Sequence, residues 1–202
     1  MKTKFAGASI VIITLLVFWM ALQFPPAGTY RLDTGKSEVY WKCDKHNGIL
    51  PFKKGFLHIR KNGDITGKFD FDLSLFEVKD LDSAKYGTAK MILENTLKNE
   101  FFEIDKYPQA VFWLYDARPV DDSTFRMTGD LLFHGITNCV EFDGKMDYHK
   151  GVLHLKSKPF YIDRTDWGVY RLSPSLPIAD DENGWTVTDS VRIRVDLVLD
   201  KQ

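Results

Sequence analysis

Five histidines, two cysteines and a few paired carboxylates and hydroxyls are the residues of this 202-residue chain from which chemistry would have to come. His46, His58, His134, His149 and His154 include no pair at the i, i+4 spacing that puts two imidazoles on one helix face. His149 and His154 flank a turn signal with no cysteine or acid beside them at a metal-site spacing. They read as solvated strand-end histidines. Asp70 and Asp72 lie two apart, so on a strand they share a face, but that face carries the polar residues and the pair reads as outward solubilising charge. Ser173 and Ser175 sit in "RLSPSLP" with no motif tying either to a base, and no G-x-S-x-G, P-loop or G-x-G-x-x-G occurs. An enzyme reading therefore has no nucleophile, base or metal to name.

The elements that would hold such residues are mostly strands. Apolar residues recur with period two in "SEVYWKC" (Val39, Trp41, Cys43), "GKFDFDLSLF" (Phe69, Phe71, Leu73, Leu75) and "FRMTGDLLF" (Phe125, Met127, Leu131, Phe133). The same alternation runs through "VEFDGKMDY" (Val140, Phe142, Met146, Tyr148) and "VRIRVDLVL" (Val191 to Leu199). Each reads as a strand with one wet face, and Asn62-Gly63, Asp121 to Ser123 and Lys150-Gly151 supply the turns. One stretch, about Ser83 to Phe102, has mostly helical spacing at Tyr86, Met91, Leu93, Leu97 and Phe101, and Pro108 forbids helix beyond it. Roughly eight strands and one helical excursion predict an all-β, eight-stranded antiparallel barrel, with a β-sandwich as the second choice.

Charge and cysteine usage narrow the partners. The 27 basic and 28 acidic side chains nearly cancel, without a run of like charge, which excludes an electrostatic nucleic-acid binder; nothing in composition points to a protein partner. Cys43 shares its phase with Val39 and Trp41, whereas Cys139 is out of phase with Val140 and Phe142, so the two thiols are predicted on opposite faces, an arrangement that disfavours a bridge. The first 26 residues stand apart. Lys2 and Lys4 precede an uncharged run from Phe5 to Phe24 closed by Pro25 and Pro26, longer than the usual secretory core of about 7 to 15 residues. The expected organisation is residues 1–26 as a transmembrane anchor or signal peptide, and residues 27–202 as one domain on the outer side of the membrane.

An interior lined by aromatic and methionine side chains admits two readings, a filled core or a cavity for an apolar ligand, because an eight-stranded barrel is just wide enough for either. The candidate wall residues are Val39, Trp41, Phe69, Phe71, Leu73, Phe101, Phe125, Met127, Leu131, Val140, Phe142 and Trp167. Phe101, four residues after Leu97, is the better placed of the Phe101-Phe102 pair to pack on the barrel, with Phe102 directed to a neighbouring wall or rim.

Four segments, "YRLDTGKSEVYWKCDKHNG" (Tyr30–Gly48), "LENTLKNEFFEIDKYPQAVF" (Leu93–Phe112), "MTGDLLFHGITNCVEF" (Met127–Phe142) and "IDRTDWGV" (Ile162–Val169), resemble the YceI-like family in order and spacing, and together they extend the resemblance over nearly all of residues 29–200. The resemblance implies a lipocalin-like barrel, exported to the periplasm or cell envelope, that binds a polyisoprenoid or fatty-acyl lipid and has no catalytic apparatus or other cofactor. Phe133 and Trp167 are bulkier than the family pattern and are expected to reshape a cavity; Thr96 replaces a frequent histidine, which removes any headgroup role attached to it. The alternative is a membrane-tethered structural or interaction domain with a solid interior.

Overall fold

In a computed structural model, residues 24–121, 123–176 and 186–202 are described. The chain runs β1 (Gly28–Leu32), β2 (Glu38–Lys42), β3 (Asn47–Ile59), β4 (Ile65–Phe71), β5 (Glu77–Val78), α1 (Ser83–Thr96), β6 (Val111–Pro119), β7 (Thr124–Phe133), β8 (Ile136–His149), β9 (Val152–Ser157), β10 (Phe160–Asp163) and β11 (Ser190–Lys201). All strands belong to one antiparallel sheet, which sets aside the sandwich. The expected membrane-directed segment lies, up to Gln23, outside the described residues; among these, no helix is long and apolar enough to cross a membrane.

Eleven strands and an expected eight are reconciled by the pairing. β2 pairs with Arg192–Asp196 of β11 and Asn47–Pro51 of β3, while β1 pairs with Leu199–Lys201 and Phe56–Ile59 of the same two strands. They are two halves of one broken strand. β9 and β10 likewise share the other edge of β11, at Asp196–Asp200 and Ser190–Ile193. Counting each broken strand once, and leaving aside short β5 on β3, the ladder runs β1/β2, β3, β4, β6, β7, β8, β9/β10, β11 and returns to its start.

Each break leaves backbone groups of β11 without a strand partner, and a buried unpaired N–H is costly. Two serines take the place of the missing pairing. The Val198 amide donates to Ser37 Oγ at 3.0 Å, and that hydroxyl lies 3.3 Å from the Val198 carbonyl; on the other edge, the Val195 amide donates to Ser157 Oγ at 2.8 Å. Both serines are buried.

One end of the closed sheet is solid. Tyr30, Leu57, Ile59, Ile65, Leu153 and Leu199 are each at most 1% exposed, Tyr30 meets Tyr148 edge to face, and the Phe24 ring covers Phe125 with centroids 5.7 Å apart. The bulge in β3 between Phe52 and Lys54 shifts the side-chain phase, so Leu50 and Phe52 face inward before it and Leu57 and Ile59 after it.

The helical excursion departs from its expected packing. Asp82 caps α1 by accepting from the Ala84 and Lys85 amides, and Tyr86 (φ −126°, ψ 24°) interrupts the first turn next to Gly87. No residue of α1 is buried. Its protein side is polar: Glu94 accepts from the Val78 amide at 2.9 Å and Lys90 pairs with Glu77 at 2.9 Å. Tyr86 and Met91, part of the helical spacing, point to solvent with Ile92. Only beyond α1, in a π-helical turn over Leu97–Phe101, does the excursion bury a ring, that of Phe101.

Removing the hydroxyl that serves Val195 leaves a buried donor unpaired, so Ser157→Ala is expected to lower unfolding free energy by about 1–3 kcal/mol in urea titration without changing the m-value.

Candidate functional site

Toward the other end the side chains stop meeting at the axis and leave a cavity of about 220 Å³. Its wall takes Val39 and Trp41 from β2, Phe69 and Phe71 from β4, Leu73 from a 3₁₀ turn, Phe101 from the π-turn, Met127 and Leu131 from β7, Val140 and Phe142 from β8, and Trp167 from the 3₁₀ turn Arg164–Trp167. Phe125, the twelfth candidate, is not on the wall. It has the inward phase of Met127 but stands one step nearer the solid end, at 2% exposure behind Phe24. Inward phase alone therefore does not define the wall; depth along the axis does.

The sequence reading left out wall residues of β3, β6, β9, β10 and β11, among them Phe52, Phe112, Leu114, Phe160 and Val195. For β11 the signal was present in the alternation from Val191 to Leu199; for β3 the bulge concealed it.

Glycine accounts for the space. A β-carbon at Gly129 would stand 2.4 Å from Phe112 Cζ, one at Gly55 would stand 2.6 Å from Phe69 Cδ1, and one at Gly48 would stand 2.7 Å from Trp41 Cζ2. Each ring thus occupies the place a β-carbon would take on the neighbouring strand, an arrangement only a side chain of one hydrogen permits, and at Gly48 the Glu77 carbonyl, 1.9 Å from such a carbon, adds to the demand.

The mouth is crossed by rings. Trp41 stacks on Phe76 at 4.8 Å, Phe76 meets Phe102 edge to face at 5.0 Å, and Phe102 meets Phe133 at 5.3 Å. The row runs from β2 to β7, which stand on opposite sides of the closed ladder. Phe102 is the span of this row, while Phe101 packs beneath the Arg164 and Arg171 guanidiniums, 5.9 and 6.0 Å from its centroid.

Arg164, 7% exposed, borders the cavity, and the "RTDWG" segment was singled out for its tryptophan and not for this residue. Its Nε donates to the Thr188 carbonyl at 3.1 Å, Nη1 to the Val169 and Arg171 carbonyls at 2.7 and 2.8 Å, and Nη2 to the Val187 carbonyl at 2.8 Å. Nη2 also lies 3.2 Å from Asp189 Oδ1. Burial pulls the guanidinium below its ordinary value, opposed by the Asp189 charge. Asp189 in turn accepts from the hydroxyls of Ser173 and Ser175 at 2.9 and 2.5 Å. Asp189 thus ties the two serines and Arg164 into one knot at the mouth.

His134 corrects the solvated reading of the histidines. It is buried at 8% exposure, with Nδ1 2.9 Å from the Trp167 carbonyl, Nε2 2.9 Å from Glu103 and the Tyr107 ring against it at 4.3 Å. A carbonyl only accepts, so Nδ1 carries a hydrogen. Glu103 (φ 44°) and His134 (φ 48°) both hold left-handed backbone, a conformation that persists where side-chain contacts over-determine it. This pair joins the end of the π-turn, the β7–β8 turn and the Arg164–Trp167 turn into one rim.

Cys43 borders the cavity, with its sulfur closing a turn on His46, whereas Cys139 is exposed on the outside beside Tyr115; both are free thiols, on opposite faces as their phases require. Among the described residues no three His, Cys, Asp or Glu side chains gather as a metal site.

Replacing Arg164 by Met strands four carbonyls and a buried carboxylate. Denaturant titration is expected to show a loss of about 3–5 kcal/mol, with Arg164→Lys recovering only part, since an ammonium has fewer donors than the fork it replaces.

A family model described as a YceI-like domain matches residues 30–199. Among solved structures, the chain is similar to BcnA of Burkholderia cenocepacia, with a TM-score of 0.63 at 20% identity over 83% of this chain and 98% of that one. It is also similar to a polyisoprenoid binding domain from Saccharophagus degradans implicated in plant cell wall breakdown, with a TM-score of 0.57 at 13% identity over 86% and 98%. A YceI protein of Campylobacter jejuni gives 0.50 at 12% over 100% and 99%. No curated protein matches.

Proposed function

We infer, because the chain belongs to the YceI-like family, that its closed sheet is a lipocalin-like barrel that binds, carries or sequesters a long apolar lipid, a polyisoprenoid or fatty-acyl chain, without catalysis. The observation that carries this reading is the cavity of about 220 Å³ whose wall, among the described residues, is apolar apart from Arg164, Thr188, the Cys43 thiol and the indole nitrogens of Trp41 and Trp167. Two magnitudes favour an occupant. Empty apolar space is destabilising by about 24 cal/mol per Å³, so 220 Å³ left vacant would forgo about 5 kcal/mol, as much as the whole stability of many domains. At about 10–15 Å³ per water-sized occupant, the space corresponds to on the order of fifteen to twenty waters, or several hundred Å³ of liquid, within the usual range of ligand pockets. The solved polyisoprenoid binding domain of the same fold supports the ligand class. The cavity favours this reading over an interaction domain with a solid interior.

Residues 1–26 act, in this reading, as an anchor or signal that places the barrel in the periplasm or cell envelope, on the outer side of the inner membrane. The chain is expected to stay with membranes after a carbonate wash if the segment is retained; release into the wash identifies a cleaved signal.

Protein purified from its own host is expected to yield a long-chain lipid on solvent extraction, seen as added mass in native mass spectrometry. Val195→Trp, which puts an indole into the cavity, is expected to lose at least about nine-tenths of that lipid, a shift of roughly 1.4 kcal/mol, while its thermal midpoint holds. Wild-type protein that carries nothing would end the lipid reading.

A further inference from the structure

A cavity for a lipid has two ways to choose its ligand, by the apolar chain or by the polar head. The head needs a partner, because a phosphate, hydroxyl or carbonyl drawn out of water without a hydrogen bond is strongly disfavoured. Among the described residues Arg164 is the one cation on the wall, and it is the residue to which a phosphate head would be assigned at first sight. A guanidinium has five N–H donors. Here four go to the Thr188, Val169, Arg171 and Val187 carbonyls, and the fifth faces the Asp189 carboxylate. Four donors are thus held by carbonyls, and the charge is answered within the protein by Asp189, whose Oδ1 stands 3.2 Å from Nη2 as an ion pair without a hydrogen bond.

The other polar groups of the described wall are also engaged, the Thr188 hydroxyl as an acceptor. Thr188 accepts the Ser190 amide on its hydroxyl, the Cys43 sulfur is held between the amide and carbonyl of His46, and Trp167 Nε1 donates to the Leu131 carbonyl at 2.9 Å. Trp41 Nε1 has no partner but carries less than 1 Å² of accessible surface, so a ligand cannot reach it in this arrangement of the ring. Deeper in, the described wall is Met127, Leu114, Phe142, Leu155 and Leu197, side chains that offer no partner to a polar end.

We propose that the cavity selects its ligand by the apolar chain alone and is indifferent to the headgroup, with Arg164 acting as a positioning residue of the mouth. The proposal rests on the lipid-binding reading above. The chain enters, the head stays at the rim in water, and affinity follows buried length, by about fourfold per methylene until the space is full.

Titration calorimetry of the full chain with farnesol, farnesyl methyl ether and farnesyl monophosphate tests this. The three dissociation constants are expected to agree within about threefold, to be unaffected by salt, and to weaken together with the geranyl series. A phosphate bound about tenfold more tightly than the alcohol, with an affinity that falls as salt rises, would overturn the proposal and leave the lipid reading standing. Trp41→Phe removes the unpaired indole donor and is expected to preserve the order of the series; a selective loss of farnesol binding by about tenfold would show that the indole reads the head, and would equally overturn it. Binding of none of the series removes the lipid reading and the proposal together.

Discussion

Strand β11 has no free edge and no latitude in where it sits. It pairs with β1 and β2 on one side and with β9 and β10 on the other, so the last segment of the chain completes a ladder whose first strands lie far upstream. Until it docks, both flanking strands have unpaired edges, and every interior side chain faces a gap; once it docks, closure satisfies all of them together. The serines at 37 and 157 show how strict this demand is. Where a flanking strand breaks, a side-chain oxygen is brought in to serve the β11 backbone. Pairings this far apart in sequence carry a high loop-closure cost.

The same closure sets up two unlike halves. At one end, tyrosine, leucine and isoleucine meet across the axis and exclude space; at the other, rings are laid along the wall against glycines and leave it. Between cavity and solvent stands the rim of Phe102, Arg164, His134 and Glu103, in which polar groups face one another and rings face the interior. That rim is held by hydrogen bonds and ion pairs, while the solid end is held by apolar packing. The two ends therefore depend on different physics, and disturbance of one need not spread to the other.

How far this was legible in sequence depends on how local the determining signal is. The strands from Thr124 to Phe133 and Ser190 to Lys201 declare themselves by alternation, and the opposite faces of Cys43 and Cys139 follow from the same rule. Phe125 and Met127 share a phase, so alternation could not tell that one packs the solid end and the other lines the cavity; depth along the axis is not written in a period of two. The bulge at Lys53 and Lys54 reverses the phase of β3 without any local mark. Helical spacing at Tyr86 and Met91 marked the helix but not its attachment, which runs through Glu94 and Lys90. The partners of Arg164 are chiefly backbone carbonyls, and those of His134 are a carbonyl and a glutamate on separate segments, so no residue pattern announces them.

The described chain enters and leaves at one pole. Phe24 covers Phe125, the Gln202 amide bonds to the Thr29 carbonyl, and the Lys201 amide bonds to the Gly151 carbonyl, all at the solid end. Whatever is joined to this domain through either terminus is thus attached at the pole opposite the mouth. Mechanical connection and access to the interior are assigned to different ends of the same closed sheet, so the molecule can be held fast from behind without its opening being obstructed.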